Sequence, residues 1–183
     1  MSELTYRKLN IKSGPSGRAI AQPMDEALIE ALEQHLTMER NASAQYFSMS
    51  LWFAEREFRG FSSFFKKESL SEQEHASNFA NYLIARGQSV TLQELAVPLQ
   101  SWDSIEDLIS YSFQMEADVT SSLHLIYSMA ERSSDTRTTV FLDPVIESQT
   151  NSEDDFAHLL GRVKFASNQP SALLIIDGEL NNI

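Results

Sequence analysis

Phe61-Ser62-Ser63-Phe64-Phe65-Lys66-Lys67-Glu68-Ser69-Leu70-Ser71-Glu72-Gln73-Glu74-His75-Ala76-Ser77-Asn78-Phe79-Ala80-Asn81-Tyr82 is the stretch on which the fold turns. Steps of four and three along it select Phe61, Phe65, Glu68, Glu72, His75, Phe79 and Tyr82. That spacing is the inward stripe of an amphipathic helix. Its two ends are aromatic, as a core demands. Its middle carries three ionisable groups in succession, where a core forbids them unless something compensates the charge.

Working outward, apolar spacing draws four long helices: about Asp25 to Glu57, Phe61 to Arg86, Ser104 to Arg132 and Thr136 to Ala166. The first and last pairs are joined by only a few residues, which makes antiparallel hairpins. Gly87 to Asp103 contains Pro98 and has no helical period. Its seventeen residues reach about 55 Å when extended, against about 40 Å for a bundle helix. The expected fold is therefore all-α: a four-helix bundle with one long crossover between the second and third helices. Pro144 either kinks a fourth helix begun near Asp135 or sits in its first turn, and the apolar residues before it favour the kink. Pro170 to Leu180 reads as a short apolar fifth helix at the C-terminus.

The other inward stripes repeat the anomaly. The first helix gives Leu28, Leu32, His35, Glu39, Ala42, Tyr46, Met49 and Phe53; the third gives Ile105, Ile109, Ser112, Glu116, Val119, Leu123, Ile126 and Ala130. The fourth gives Leu142, Ile146, Gln149, Glu153, Phe156, Leu160 and Val163. Each turns polar near its middle. Glu39 and Glu72 are 33 residues apart about the first turn, and Glu116 and Gln149 are 33 apart about the second, so each pair lies level across its hairpin. No Lys or Arg falls on the central seams. Ionised carboxylates in such a layer would cost several kcal/mol each, and a pair of divalent cations would compensate them. Glu72 and His75 place an oxygen and an imidazole nitrogen on one helical face, with carboxylates from the first and third helices to terminate or bridge two metals. Mixed oxygen and nitrogen donors suit iron or manganese better than magnesium or calcium, with zinc a competitor.

Composition narrows the field. The chain has 183 residues, 42% of them hydrophobic, enough for one domain with a sizeable core. Its net charge of −12 argues against nucleic acid or an anionic membrane surface as a partner. The absence of Cys removes disulfides, thiolate metal sites and Cys catalysis. There is no membrane-length apolar run and no secretory leader, which reads as a soluble cytoplasmic protein. Residues 1–24 hold four basic side chains against one acidic, a net of +3, which leaves −15 for the rest. With Gly14, Pro15 and Gly17 and no helical or strand period, they read as a flexible or loosely docked extension ahead of a domain spanning 25–183.

Taken together, Met38-Glu39-Arg40-Asn41-Ala42-Ser43-Ala44-Gln45-Tyr46, Glu72-Gln73-Glu74-His75, Met115-Glu116-Ala117-Asp118 and Gln149 resemble the ferritins, specifically non-haem ferritins of the cyanobacterial and eukaryotic-like type, over about Met24 to Asn182. A lone Glu-x-x-His is common by chance. Four helices supplying these residues in order and level with one another are not. The resemblance implies iron storage and detoxification: two ferrous ions bound inside the bundle, oxidation by O2 (or H2O2), and storage of the ferric product in a cage of 24 identical subunits. It implies terminal iron ligands at Glu39 and His75, a bridge at Glu72 and a second-iron ligand at Glu116. Gln149 matches a glutamine that positions water or oxygen, and Tyr46 a tyrosine that can donate an electron. On spacing alone, Tyr46 and the Phe stripe are packing residues.

Departures from the pattern bear on subtype. Gln149-Thr150-Asn151-Ser152 stands where bacterioferritins and rubrerythrin-like proteins carry a second Glu-x-x-His, and the scattered methionines mark no haem ligand, so no haem is expected. Ser71, Ser148, Asn151 and Ser152 replace the extra carboxylates of a third iron site. Glu68, one turn from Glu72, and Asp143 and Glu147, one turn apart near the start of the fourth helix, are candidates to guide iron inward. Glu153 is either an extra ligand or the partner of a polar neighbour. His35 reads as a satisfied or partly exposed histidine, and His124 and His158 as surface residues. A different di-metal enzyme on the same bundle would usually carry the second His motif. A DNA-protecting starvation-type cage would lack the fifth helix and place its metal between subunits.

Overall fold

The computed structural model describes residues 11–181. Helices α1 (Glu26–Ala54), α2 (Arg59–Ala85), α3 (Ile105–Arg132) and α4 (Thr136–Ala166) form the bundle, and α5 (Pro170–Leu180) follows. Local chemistry sets their ends. The Asp25 carboxylate accepts from the backbone N–H groups of Ala27 and Leu28, Ser104 Oγ from Asp107, and the Asp135 carboxylate from Thr138, so three of the four long helices begin on their own side-chain cap. The start of α2 has no such local cap. Asp177 of α5 supplies it instead, accepting from Phe61 N–H at 2.9 Å. Gly60 makes that contact possible, because a Cβ there would lie 1.7 Å from the Asp177 carbonyl oxygen.

The crossover lies parallel to α1 and is pinned to its polar face by side chains. Glu33 accepts from Thr91 N–H at 3.0 Å, Asn41 from Ala96 N–H at 2.9 Å, and Gln45 both accepts from and donates to the Leu99 backbone at 2.8 and 3.0 Å. A segment with no regular structure is thus satisfied without a strand partner. Pro144 lies inside α4, two turns past its start. The first-turn alternative is thereby removed.

Part of the expected extension, residues 11–24, is described, and it is docked. Lys12–Ser13 and Ala19–Ile20 pair as a short antiparallel hairpin. It docks on the turn after α2: Ser16 Oγ donates to Gly87 O at 2.9 Å and Arg18 to Ile84 O at 3.0 Å. Two residues per strand are too few to show an alternating period, and the anchoring is to backbone, which leaves no hydropathy signal. Residues 1–10 of that expected extension, with Asn182 and Ile183, lie outside the described residues.

The core falls into two apolar clusters. One gathers Tyr46, Met49, Phe53, Phe61, Phe65, Phe156 and Val163 with the buried face of α5; the other gathers Leu28, Leu32, Leu36, Phe79, Leu83, Leu123, Ile126 and Leu142. The polar layer lies between them. Among the described residues no helix is long and apolar enough to cross a membrane.

Candidate metal centre

Each helix contributes to the layer from its middle. Glu39 comes from α1, Glu72 and His75 from α2, Glu116 from α3 and Gln149 from α4. Relative exposures of 2% for Glu39, 4% for Glu72, 2% for Glu116 and 7% for Gln149 place the three carboxylates and the amide in the interior. One donor atom from each of Glu39, Glu72 and His75 lies within 4.8 Å of the others. His75 Nδ1 is 3.0 Å from Glu72 Oε2. The i, i+3 spacing on α2 brings these two together, and the antiparallel packing of α1 brings Glu39 to them.

Glu116 is held on the facing side. Tyr46 Oη donates to its Oε1, and Gln149 Nε2 to its Oε2 at 2.8 Å and to its backbone carbonyl at 3.1 Å. Tyr46 is itself fixed between Phe65 and Phe156, the latter stacked at 5.5 Å. Both residues singled out beside the ligands, Tyr46 and Gln149, therefore contact the same carboxylate.

Electrostatics record the missing counter-charge. Burial pushes Glu72 up to about 7, helped by Glu39 beside it, although its bond to His75 pulls the other way. Glu39 and Glu116 are raised chiefly by burial. His75 is raised to about 9, first by its bond to Glu72. Tyr46 is raised well above the usual phenol range by burial and by the Glu116 charge. Protons are the compensation that remains, because the one buried Arg–carboxylate pair among the described residues, Arg86 with Asp135 at 2.7 Å, belongs to the far end of α2. Divalent cations would displace those protons and meet oxygen and nitrogen donors already gathered. Glu39 Oε2 has no hydrogen-bond partner, a buried acceptor free for such an ion.

Glu68 is half-buried one turn from Glu72 and is raised to about 7 by burial and then by the charges of Glu72, Glu116 and Asp155. Asp143 and Glu147 are exposed and are not brought to the centre. Asp143 accepts from Tyr127 Oη at 3.2 Å. Glu153 accepts from Thr120 Oγ1, which makes it a polar neighbour's partner. His124 and His158 are exposed, as expected.

His35 is the residue that sequence reasoning undervalued. It is fully buried, not partly exposed. Its Nδ1 lies 2.8 Å from Ser122 Oγ, its ring packs on Phe79, and its Nε2 sits 2.9 Å from Glu39 Oε1 without the alignment of a hydrogen bond. Burial lowers it to about 4, so it is neutral. The available signal was its position on the seam one turn before Glu39.

A helical bundle enclosing carboxylates and an imidazole between two apolar clusters has the donor set expected of a class, the metal-binding four-helix bundles. Comparison with known proteins specifies it further. The Ferritin-like domain family matches residues 29–166. A ferritin of Pacifastacus leniusculus is 30% identical over 82% of this chain and 86% of its own length, and a bacterial non-heme ferritin of Bacteroides fragilis 26% identical over 86% and 98%. A crystal structure of an open pore ferritin from the hyperthermophilic archaeon Archaeoglobus fulgidus superposes with a TM-score of 0.85 at 26% identity, covering 87% of this chain and 98% of that one. The chain belongs to the ferritin family, among its non-haem members.

Proposed function

We propose that this protein stores iron, and that it oxidises Fe2+ with O2 at a dinuclear centre within each subunit before the Fe3+ enters a mineral held inside a cage of 24 copies. The observation that carries the reading is the convergence of Glu39, Glu72 and His75 within 4.8 Å, in an interior where no Lys or Arg among the described residues balances the carboxylates. Iron is substrate and cargo here. Glu39 and His75 terminate one ion, Glu72 bridges, and Glu116 serves the second. In the oxidation two ferrous ions each lose one electron, and one dioxygen takes both with two protons to become hydrogen peroxide. The side chains hold the two ions close enough for one dioxygen to meet both.

Tyr46 and Gln149 work through Glu116. Their bonds fix its carboxylate toward the layer before an ion arrives, so little reorganisation is needed on binding. Glu68 extends the acidic donors one turn beyond Glu72, while Asp143 and Glu147 offer carboxylates on the outer surface of α4 where ions can first be gathered. Lineage and the mixed donor set favour iron over other divalent ions.

Aerobic ferrous titration of the metal-stripped protein tests the reading. Rapid oxidation saturating near two iron per subunit is expected from the two-metal donor count. Saturation at one, or no acceleration over buffer, would defeat it. Glu72→Ala is expected to abolish the fast phase and leave the assembly size unchanged by light scattering; unaltered kinetics would remove Glu72 from the centre.

A further inference from the structure

A cavity of about 560 Å³ opens between α2 and α4 and ends on the metal layer. Glu39, His75 and Gln149 form its inner end. From there it runs toward the C-terminal end of α2, along residues 75–85 of that helix and 141–149 of the antiparallel α4. Phe79, Tyr82, Phe141 and Val145 line its walls, and the exposed residues Asn78, Asn81, Ala85, Pro144 and Ser148 border its opening. Apart from Glu39 and His75 at the inner end, no carboxylate, Lys, Arg or His among the described residues lines it.

The opposite side of the layer differs in kind. Glu68 lies seven residues before His75, in the other direction along α2, and feels the charges of Glu116 and Asp155. Asp143 is on the cavity's stretch of α4 but faces α3, accepting from Tyr127 Oη at 3.2 Å. The centre thus has an acidic flank and one whose side chains, apolar or polar, are uncharged beyond the inner end. A hydrated ferrous ion that moves along walls without carboxylates finds no charged ligand to replace the water it sheds. An uncharged diatomic molecule loses almost nothing there, and apolar protein cavities take up small nonpolar guests such as xenon and benzene.

We propose that the α2/α4 cavity is the path by which dioxygen, as an uncharged oxidant, reaches the metal centre, separate from the acidic flank that takes the cation. The proposal rests on the di-iron reading above. It divides the two substrates by charge: carboxylates select the ion on one side, and their absence on the other keeps ions from occupying the oxidant's path.

Two measurements test it. Crystals of the unmodified protein pressurised with xenon should show xenon in the cavity; an empty cavity would overturn the proposal without any variant. The second uses Asn78→Trp with Ser148→Trp, exposed positions at the mouth where bulk narrows the opening without entering the core. Oxidation rates are measured against O2 concentration and, separately, against Fe2+ concentration, with anaerobic Co2+ absorption reporting ion binding at the centre. The double variant should need severalfold more O2 for half-maximal rate, with Co2+ binding and ferrous dependence unchanged. An unchanged O2 dependence sinks the route. A changed ferrous dependence at constant O2 dependence assigns the cavity to the cation and also sinks it, as does an equal loss in both, because the plug then acts on the centre itself. Failure of the unmodified protein to oxidise iron would instead count against the function proposed above, and xenon uptake would still decide the cavity's character.

Discussion

Glu72 hydrogen-bonds His75, approaches Glu39, and repels Glu68 and Glu116 across the layer, so its protonation state governs its neighbours. In the metal-free protein that coupling makes stability depend on pH in a definable direction. Glu72 and Glu68 are raised to about 7, so they are protonated in the fold at pH values where the unfolded chain ionises them. Their contribution is present below the unfolded carboxylate range and lost as pH rises through 7. His75 is raised to about 9, and its contribution is full below its ordinary value of 6.5 and lost toward 9. His35, lowered to about 4, acts in the opposite sense only below pH 6.5. The two carboxyl shifts therefore act between the unfolded value of 4.5 and about 7, and the His75 shift continues the loss between pH 6.5 and about 9. The melting temperature of stripped protein should fall across that interval by about 5 °C, measured by calorimetry, and Glu72→Gln should flatten the slope because it removes the largest support of the His75 shift. A slope identical in the variant would show that general acidic repulsion, not the layer, sets the trend. Glu39, Glu72, Glu116 and Gln149 were legible in the sequence because a polar side chain on an apolar stripe violates the expected period. His35 sits on the same stripe and was undervalued because an imidazole is tolerated there in many roles. Only its burial and its approach to Glu39 distinguish it.

At the scale of elements, the four long helices and the crossover were readable because 27 to 31 residues of consistent period leave little freedom in assignment. What escaped was the chemistry of contacts remote in sequence. The α2 start illustrates this: no residue near Phe58 caps it, and its acceptor arrives from Asp177, 116 positions away. No local pattern can encode such a partner. Gly60 belongs to the same arrangement. Gly60→Ala would put a methyl 1.7 Å from the Asp177 carbonyl and push α5 off the bundle; a loss of about 1–3 kcal/mol is expected from overpacking. Asp177→Ala removes the cap alone and should cost about 1 kcal/mol. Denaturant titration of each variant checks the ordering, and a Gly60→Ala protein as stable as the parent would mean that α5 docks less tightly than this contact requires. The N-terminal hairpin was hidden for a related reason, since Ser16 donates to the Gly87 carbonyl through both its N–H and its Oγ while Gly14 packs closely on the same turn.

For the whole molecule, the division of the core has an energetic consequence. Two apolar clusters stabilise the ends of the bundle, whereas the layer between them gathers acids that oppose their own burial. An ion bound there draws on α1, α2 and α3 at once and replaces repulsion with attraction in the layer between the clusters. Redox-inert Zn2+ or Co2+ should therefore raise the unfolding free energy by about 2.7 kcal/mol at a free concentration a hundredfold above its dissociation constant. A chain of net charge −12 also attracts such ions to its surface, so stabilisation alone does not locate them. Hydrogen exchange separates the cases. Binding at the centre should slow exchange most around Glu39, Glu72 and Glu116, in the middle of three helices, and leave the helix ends little changed. Glu72→Ala should lose both this protection and most of the stabilisation, while the parent's surface charge is almost retained. If the variant is stabilised as strongly as the parent, the ions are held by surface carboxylates and the buried layer is not where the protein binds metal.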